Sequence, residues 1–102
     1  MRTLKNIHPG EVLKEEFLLP MGISAYLLAK ETGLSQTRIG QIIKAERSIT
    51  VESAVKLGTF FSLPAEFWMN LQTLYDIEEA QKRYKKDIKS IHTVSELQHS
   101  AA

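Results

Sequence analysis

Apolar residues recur three and four positions apart along most of this chain, and no segment alternates apolar and polar residues as a half-buried strand would. Prolines, glycines and capping residues divide the helical pattern into five segments. The first predicted helix starts at Pro9 and ends at Pro20 and Gly22, and the second follows Ser24 and ends at Gly33. The pattern therefore predicts an all-α fold.

Three further helices are predicted in the second part of the chain. Ser35 caps the third helix, Thr50 caps the fourth, and Pro64 starts the fifth, which becomes strongly charged over residues 78–89. The apolar stripes of the five helices are predicted to face one core and include Val12, Leu13, Phe17, Leu27, Leu28, Ala29, Ile39, Ile42, Ala54, Leu57, Phe60 and Phe61.

The most informative segment runs from Ser24 to Ile43, where two short helices are joined by a tight turn with one glycine. A small residue, Ala29, stands where the two helices would cross, and Gly33 suits the positive φ of the turn. This pattern predicts a helix-turn-helix. An αα-hairpin in a bundle that binds no nucleic acid shows the same features, so the pattern leaves that alternative open.

The predicted third helix has one polar face opposite Ile39 and Ile42. This face covers about 140° at 100° per residue. Its members are Gln36, Thr37, Gly40, Gln41 and Lys44. Gly40 lowers helix propensity, which is understandable if DNA approaches the backbone closely there.

Amides, arginine and threonine are the side chains that read base edges in the major groove. We predict that bases are read by Gln36, Thr37, Arg38 and Gln41. We expect the remaining DNA contacts, mostly to phosphates, from Ser24, Tyr26, Ser35, Lys44 and Arg47.

The overall composition fits one small globular domain, expected over residues 1–89 and followed by a flexible tail over residues 90–102. The 13 Lys and Arg nearly balance the 12 Asp and Glu, so any surface that attracts DNA must be local. Cysteine is absent, and no apolar run is long enough for a signal peptide or a membrane span. These features predict a cytoplasmic protein without disulfides.

No catalytic, metal or cofactor site is expected in this sequence. The three histidines, His8, His92 and His99, lack the spacing of metal ligands, and no serine stands in a Gly-x-Ser-x-Gly motif. The basic run over residues 82–86 is either a second phosphate-binding patch or a solvated helix end, and we favour the latter. The sequence thus predicts a binding protein and not an enzyme.

The helix-turn-helix resembles that of the phage-repressor-like (XRE) superfamily. Four blocks outside the motif resemble antitoxins of the HigA type, which include VapI-like addiction-module antidotes. These blocks are His8-Pro9-Gly10-Glu11, Pro20-Met21-Gly22-Ile23-Ser24, Arg47-Ser48-Ile49-Thr50 and Phe67-Trp68-Met69-Asn70-Leu71-Gln72. The resemblance covers residues 7–80 and implies a five-helix lambda-repressor-like domain whose helix-turn-helix is formed by helices 2 and 3.

One position departs from the superfamily. Many of these repressors have a phosphate-binding glutamine just after the cap of the first motif helix, where this chain has Ala25. Tyr26, or the backbone amides that follow Ser24, could take over this contact.

The resemblance also implies a function and two partners besides operator DNA. Such a protein would bind operator DNA as a homodimer and neutralise a HigB-type, RelE-like toxin that cleaves messenger RNA. Two alternatives stay open, a stand-alone XRE-family regulator without a toxin and a protein-interaction module that has lost DNA binding.

Two surfaces are assigned to the protein partners. The fifth helix is apolar over more than one stripe, so we predict a dimer interface at Phe67, Trp68, Leu71, Leu74, Tyr75 and Ile77. The first helix carries three acids and one base, which suit a basic toxin, so we predict a toxin interface at Glu11, Lys14, Glu15 and Glu16.

Overall fold

The computed structural model describes residues 5–100, which form seven helices and no strand within an elongated envelope of 63 × 29 × 21 Å. The helices are α1 (residues 9–21), α2 (Ala25–Thr32), α3 (Gln36–Ile43), α4 (Val51–Phe61), α5 (Ala65–Arg83), α6 (Lys85–Lys89) and α7 (Val94–Ser100). The prediction of an all-α fold is confirmed, and α1 to α5 follow in the predicted order.

Helix α1 changes its winding along its length. It is α-helical over Pro9–Val12, π-helical over Leu13–Leu18 and α-helical again over Leu19–Met21. The backbone N–H of Leu19 donates to the carbonyl of Lys14, five residues earlier. Pro20 has no N–H to donate and its ring would clash with the carbonyl four residues before it, so the wider turn lets the helix include a proline.

The predicted caps of the helix-turn-helix are present. The Ser24 Oγ accepts a hydrogen bond from Leu27 N at 3.0 Å, and the Ser35 Oγ accepts one from Arg38 N at 3.1 Å. Gly33 ends α2 with φ 80°, the left-handed conformation expected for this turn. Local sequence therefore sets the limits of both helices.

The core lies where α2 and α3 pack against α1, α4 and α5. The buried apolar side chains are Leu13, Leu18, Leu28, Ala29, Leu34, Ile39, Ile42, Ile49, Ala54, Leu57 and Trp68. Leu27 was predicted to face this core, but 39% of it is exposed, so that prediction is wrong. Leu28 and Ala29 fill the α2 positions that meet the core.

Aromatic side chains join α5 to α1 and α4. The Trp68 ring lies 5.1 Å from the ring centroids of Phe17 and Phe67 and 6.0 Å from that of Phe61. Trp68 is fully buried within its own chain, so it is not available to a partner. This corrects its assignment to the dimer interface.

The segment before α1 is fastened to α5. The Asn6 side-chain amide donates to the carbonyl of Tyr75 at 3.0 Å and to the Glu79 carboxylate at 2.9 Å. The His8 ring packs edge-on against Tyr75, and its Nδ1 accepts a hydrogen bond from Gly10 N at 2.9 Å. Burial lowers the pKa of His8, which keeps the ring in the neutral form that this cap requires.

The C-terminal part differs from the predicted tail. Residues 94–100 form helix α7, although the sequence predicted no regular structure beyond residue 89. Residues 91–99 are exposed throughout, and residues 101–102 lie outside the part that the structure describes. Pro64 is the residue before α5 and not its first residue, and it caps the helix in an extended conformation.

Candidate nucleic-acid interface

One shallow groove runs along the exposed side of α3. Burial of Ile39 and Ile42 on the opposite side turns the polar face of this helix outward. The groove is lined by Gln36, Thr37, Gly40, Gln41, Lys44 and Glu46. The five residues that helical periodicity placed on one face therefore lie together.

The N-terminal half of this groove is open. Gln36 and Thr37 are both exposed, one helical turn before Gly40. A Cβ added to Gly40 would meet no other atom within 4 Å, so nothing in the chain itself requires a glycine there. The missing side chain leaves the backbone accessible, as close approach of a base pair would require.

The C-terminal half is fixed by a hydrogen bond to the following loop. Arg47 donates through Nε to the Gln41 Oε1 at 2.8 Å. The loop itself is anchored near its end, because the buried Gln72 accepts a hydrogen bond from Ile49 N at 2.7 Å. The same Gln72 donates to the Asp76 carboxylate at 2.8 Å, so α5 helps to hold the loop that carries Arg47.

Arg38 does not lie in the groove. Its guanidinium donates to the Thr50 hydroxyl and to the Glu52 carboxylate, both at 3.1 Å, and 23% of its side chain is exposed. Hydrogen bonds from Lys56 and Arg38 lower the pKa of Glu52, so the carboxylate stays charged. Arg38 braces α3 against α4, which corrects the prediction that it reads a base.

The predicted contacts at Ser24, Tyr26 and Ser35 do not line this groove. Ser24 and Ser35 are exposed caps at the N-termini of α2 and α3, where free backbone amides suit phosphate oxygens. Tyr26 is 63% exposed on α2, so it is free to take the contact that Ala25 cannot make. Phosphate contacts by these residues stay predictions.

Charge along the groove is mixed. Lys44 supplies one exposed cation and Arg47 a second, but Glu46 lines the same groove with an opposite charge. The sequence indicated the three charges without placing Glu46 in the groove, because its position depends on the turn after α3. In that turn Ala45 takes φ 63° and Glu46 N donates to the carbonyl of Gln41 at 2.8 Å.

The described residues were also compared with the requirements of a metal site and of a membrane span. No group of three or more metal-ligating side chains lies together among residues 5–100. Within the same range, no helix has both the length and the apolar character needed to cross a membrane.

A substitution at Gly40 separates stability from recognition. We expect Gly40→Ala to raise the free energy of unfolding by up to about 1 kcal/mol, because alanine favours the helix and the added methyl group meets nothing. The same change is expected to weaken binding to operator DNA, because the methyl group occupies the groove. Urea denaturation and fluorescence anisotropy with labelled DNA measure the two effects. Unchanged affinity would show that DNA does not approach Gly40 closely.

Comparison with known proteins identifies the same region. The sequence model of a family described as Helix-turn-helix matches residues 13–68, which include all of α2, α3 and α4. Virulence-associated protein I from Dichelobacter nodosus is 42% identical over 95 residues, which cover 93% of this chain and 84% of that protein.

Solved structures share both the fold and much of the sequence. The Pseudomonas aeruginosa antitoxin HigA, solved with the higBA promoter, superposes with a TM-score of 0.85 at 36% identity, covering 88% of this chain and 99% of that one. An addiction module antidote protein of the HigA family from Coxiella burnetii has a TM-score of 0.81 at 41% identity, covering 88% and 98%. The predicted resemblance is confirmed, and the names of both proteins describe antitoxins and not enzymes.

Proposed function

Because this chain belongs to the helix-turn-helix family, among antitoxins of the HigA type, we propose that it represses its own toxin–antitoxin operon as a homodimer. It would bind operator DNA through α3 and neutralise a HigB-type, RelE-like toxin that cleaves messenger RNA. The observation that carries the DNA-binding part is the uncovered polar groove of α3. The HigA protein solved with its promoter supports this part.

Within the groove, Gln36, Thr37 and Gln41 are proposed to read bases. A glutamine amide can donate and accept at once, which matches the two hydrogen-bonding groups of adenine in the major groove. Gln36 is exposed with both groups available, whereas the Gln41 oxygen already accepts from Arg47 and leaves its amide nitrogen to donate. Lys44 and Arg47 would contact phosphates beside the groove.

Alanine substitutions test this assignment. We expect Gln36→Ala and Gln41→Ala each to weaken binding to operator DNA by about 1–3 kcal/mol, roughly 5- to 150-fold, with little effect on folding. Anisotropy titrations at fixed salt on operator and scrambled DNA measure the change. Gln98→Ala, an exposed glutamine on α7, is the matched control. Wild-type affinity in both groove variants would place recognition elsewhere.

The dimer is proposed to form through the exposed part of α5. Leu74 and Ile77 are 66% and 49% exposed on the same helix, so a second copy could bury both of them. Phe67, Leu71 and Tyr75 are half-buried against their own chain, so only the exposed part of each side chain could contact the second copy. A two-fold dimer would place two copies of α3 in successive major grooves, about 34–36 Å apart.

The toxin is proposed to contact the first helix. Lys14, Glu15 and Glu16 are exposed on the π-helical turn, and the Glu11 carboxylate lies 3.3 Å from the Lys5 amine. A toxin that cleaves RNA must present cations to phosphates, so an acidic helix is complementary to it.

Co-expression with the product of a neighbouring reading frame tests this contact. We expect a small basic protein from that frame to co-purify with the wild-type chain and its toxicity to be relieved. Charge reversal by Glu15→Lys and Glu16→Lys should weaken the complex about ten-fold or more at low salt and leave operator binding unchanged. Glu31→Lys on α2 provides a control reversal on another exposed helix.

The possible outcomes separate the alternatives. A complex that survives the double reversal would contradict the helix α1 interface. A chain that binds DNA but no neighbouring protein would be a stand-alone regulator. A chain that binds no DNA in salt-dependent gel shifts would be a protein-interaction module.

A further inference from the structure

The side-chain amide of Gln41 is held in one orientation by the loop that follows α3. Its Oε1 accepts a hydrogen bond from Arg47 Nε at 2.8 Å. An arginine side chain has donors only, so the atom that faces Arg47 must be the amide oxygen and not the nitrogen. The other polar atom of the side chain, Nε2, has no acceptor among the residues that the structure describes. Gln41 therefore offers the N–H groups of Nε2 to a ligand.

The backbone that carries Arg47 is anchored on both sides. Just before it, Glu46 N donates to the carbonyl of Gln41 at 2.8 Å. Two residues after it, Ile49 N donates to the buried Gln72 at 2.7 Å. The hydrogen bond between Arg47 and Gln41 thus forms within a loop that the chain itself shapes, before any DNA is bound.

The guanidinium of Arg47 has further N–H groups that this bond does not use. Arg47 is exposed and has no carboxylate within 4.0 Å among the described residues, although Glu46 directly precedes it. These N–H groups are therefore available to a DNA phosphate. A hydrogen bond between exposed groups is weak in water, but DNA in the groove would exclude the water that competes with it. Arg47 can thus bind a phosphate and hold the Gln41 oxygen at the same time.

Guanine and adenine differ in what they offer to such a side chain. In the major groove guanine presents two acceptors, N7 and O6, whereas adenine presents one acceptor and one donor. The N–H groups of Nε2 match both groups of guanine. Adenine requires an amide that presents its oxygen and its nitrogen together, and Gln41 would have to turn its oxygen away from Arg47 to do so. The fixed amide therefore favours guanine.

We propose that Arg47 is a positioning residue for base recognition, which holds the Gln41 oxygen and so makes this position of α3 select guanine over adenine. The inference rests on the proposed binding of operator DNA through α3 and deepens it, because it assigns a base preference to one side chain. An arginine that contacted only phosphates would raise the affinity for every sequence alike. A measurement of base preference separates the two roles.

Base preference with and without Arg47 tests the proposal. Titrations of Gln41→Ala against operators changed at one base pair at a time identify the pair that Gln41 reads, because changes there no longer alter the affinity. At that pair the wild type is expected to bind guanine about 5- to 150-fold more tightly than adenine. Arg47→Ala frees the amide to turn, so this variant should bind adenine as tightly as guanine or more tightly. Fluorescence anisotropy at fixed salt measures both ratios.

Lys44→Ala is the matched control, because it removes an exposed cation that lines the same groove and leaves Arg47 and Gln41 in place. It should weaken binding to all operators alike and keep the preference for guanine. Three results would overturn the proposal: no base pair whose effect depends on Gln41, a wild type that binds adenine as tightly as guanine, or an Arg47→Ala variant that keeps the preference.

The same titrations test the proposed function separately. A wild-type chain that binds operator and scrambled DNA equally would contradict sequence-specific binding through α3. A chain that distinguishes the two, but whose guanine preference does not depend on Arg47, would keep the proposed function and lose only this inference.

Discussion

Replacing Trp68 with alanine is expected to lower the free energy of unfolding by about 3–5 kcal/mol, a large part of the stability of a small domain. The side chain is fully buried and touches aromatic rings from α1, α4 and α5. Its removal leaves a cavity where three helices meet, and close packing around it allows little collapse. Urea denaturation followed by circular dichroism measures the loss.

A matched exposed aromatic residue provides the control. Tyr26 is 63% exposed, and Tyr26→Ala should change stability by less than about 0.5 kcal/mol. Trp68→Phe keeps an aromatic ring and should recover much of the loss. A Trp68→Ala variant that is as stable as the wild type but no longer dimeric would contradict the buried position. Such a result would support the assignment of Trp68 to the dimer interface.

Gly10→Ala is expected to destabilise the fold by about 1–3 kcal/mol or more and to displace helix α3 as well. An added Cβ would lie 1.7 Å from the carbonyl oxygen of Ile42 and 2.6 Å from its carbonyl carbon. Both atoms belong to the backbone of α3, which cannot rotate away as a side chain can. Relief therefore requires α1 and α3 to separate, and the groove proposed to read bases lies on the other side of that same helix.

Gly40→Ala is the control for this second experiment, because its added Cβ meets no atom within 4 Å. Gly10→Ala should lower both the urea midpoint and the affinity for operator DNA, whereas Gly40→Ala should lower the affinity while the urea midpoint stays the same or rises slightly. Crystallography of the Gly10→Ala variant would show a displaced α3. An unchanged midpoint would mean that α1 and α3 have room that this structure does not show.

The sequence alone was sufficient for the features that depend on local interactions. Ser24, Ser35 and Thr50 cap their helices by accepting hydrogen bonds from backbone N–H groups three residues ahead. Gly33 ends α2 in the left-handed conformation, which depends on the glycine alone. Helical periodicity likewise placed Gln36, Thr37, Gly40, Gln41 and Lys44 on one face, because that face depends only on the rise and turn of a helix. The resemblance to HigA antitoxins also rests on short blocks of consecutive residues, such as Arg47-Ser48-Ile49-Thr50.

Only the tertiary structure decided which side chains are used within the chain and which are left for partners. An arginine can hydrogen-bond to a base, but the guanidinium of Arg38 donates to Thr50 and Glu52 instead. These two residues lie 12 and 14 positions later in the chain. Trp68 lies on an apolar helix face that could have served an interface, but rings brought from α1 and α4 enclose it. These outcomes depend on contacts between residues far apart in sequence, which form when the helices pack and which no local pattern encodes.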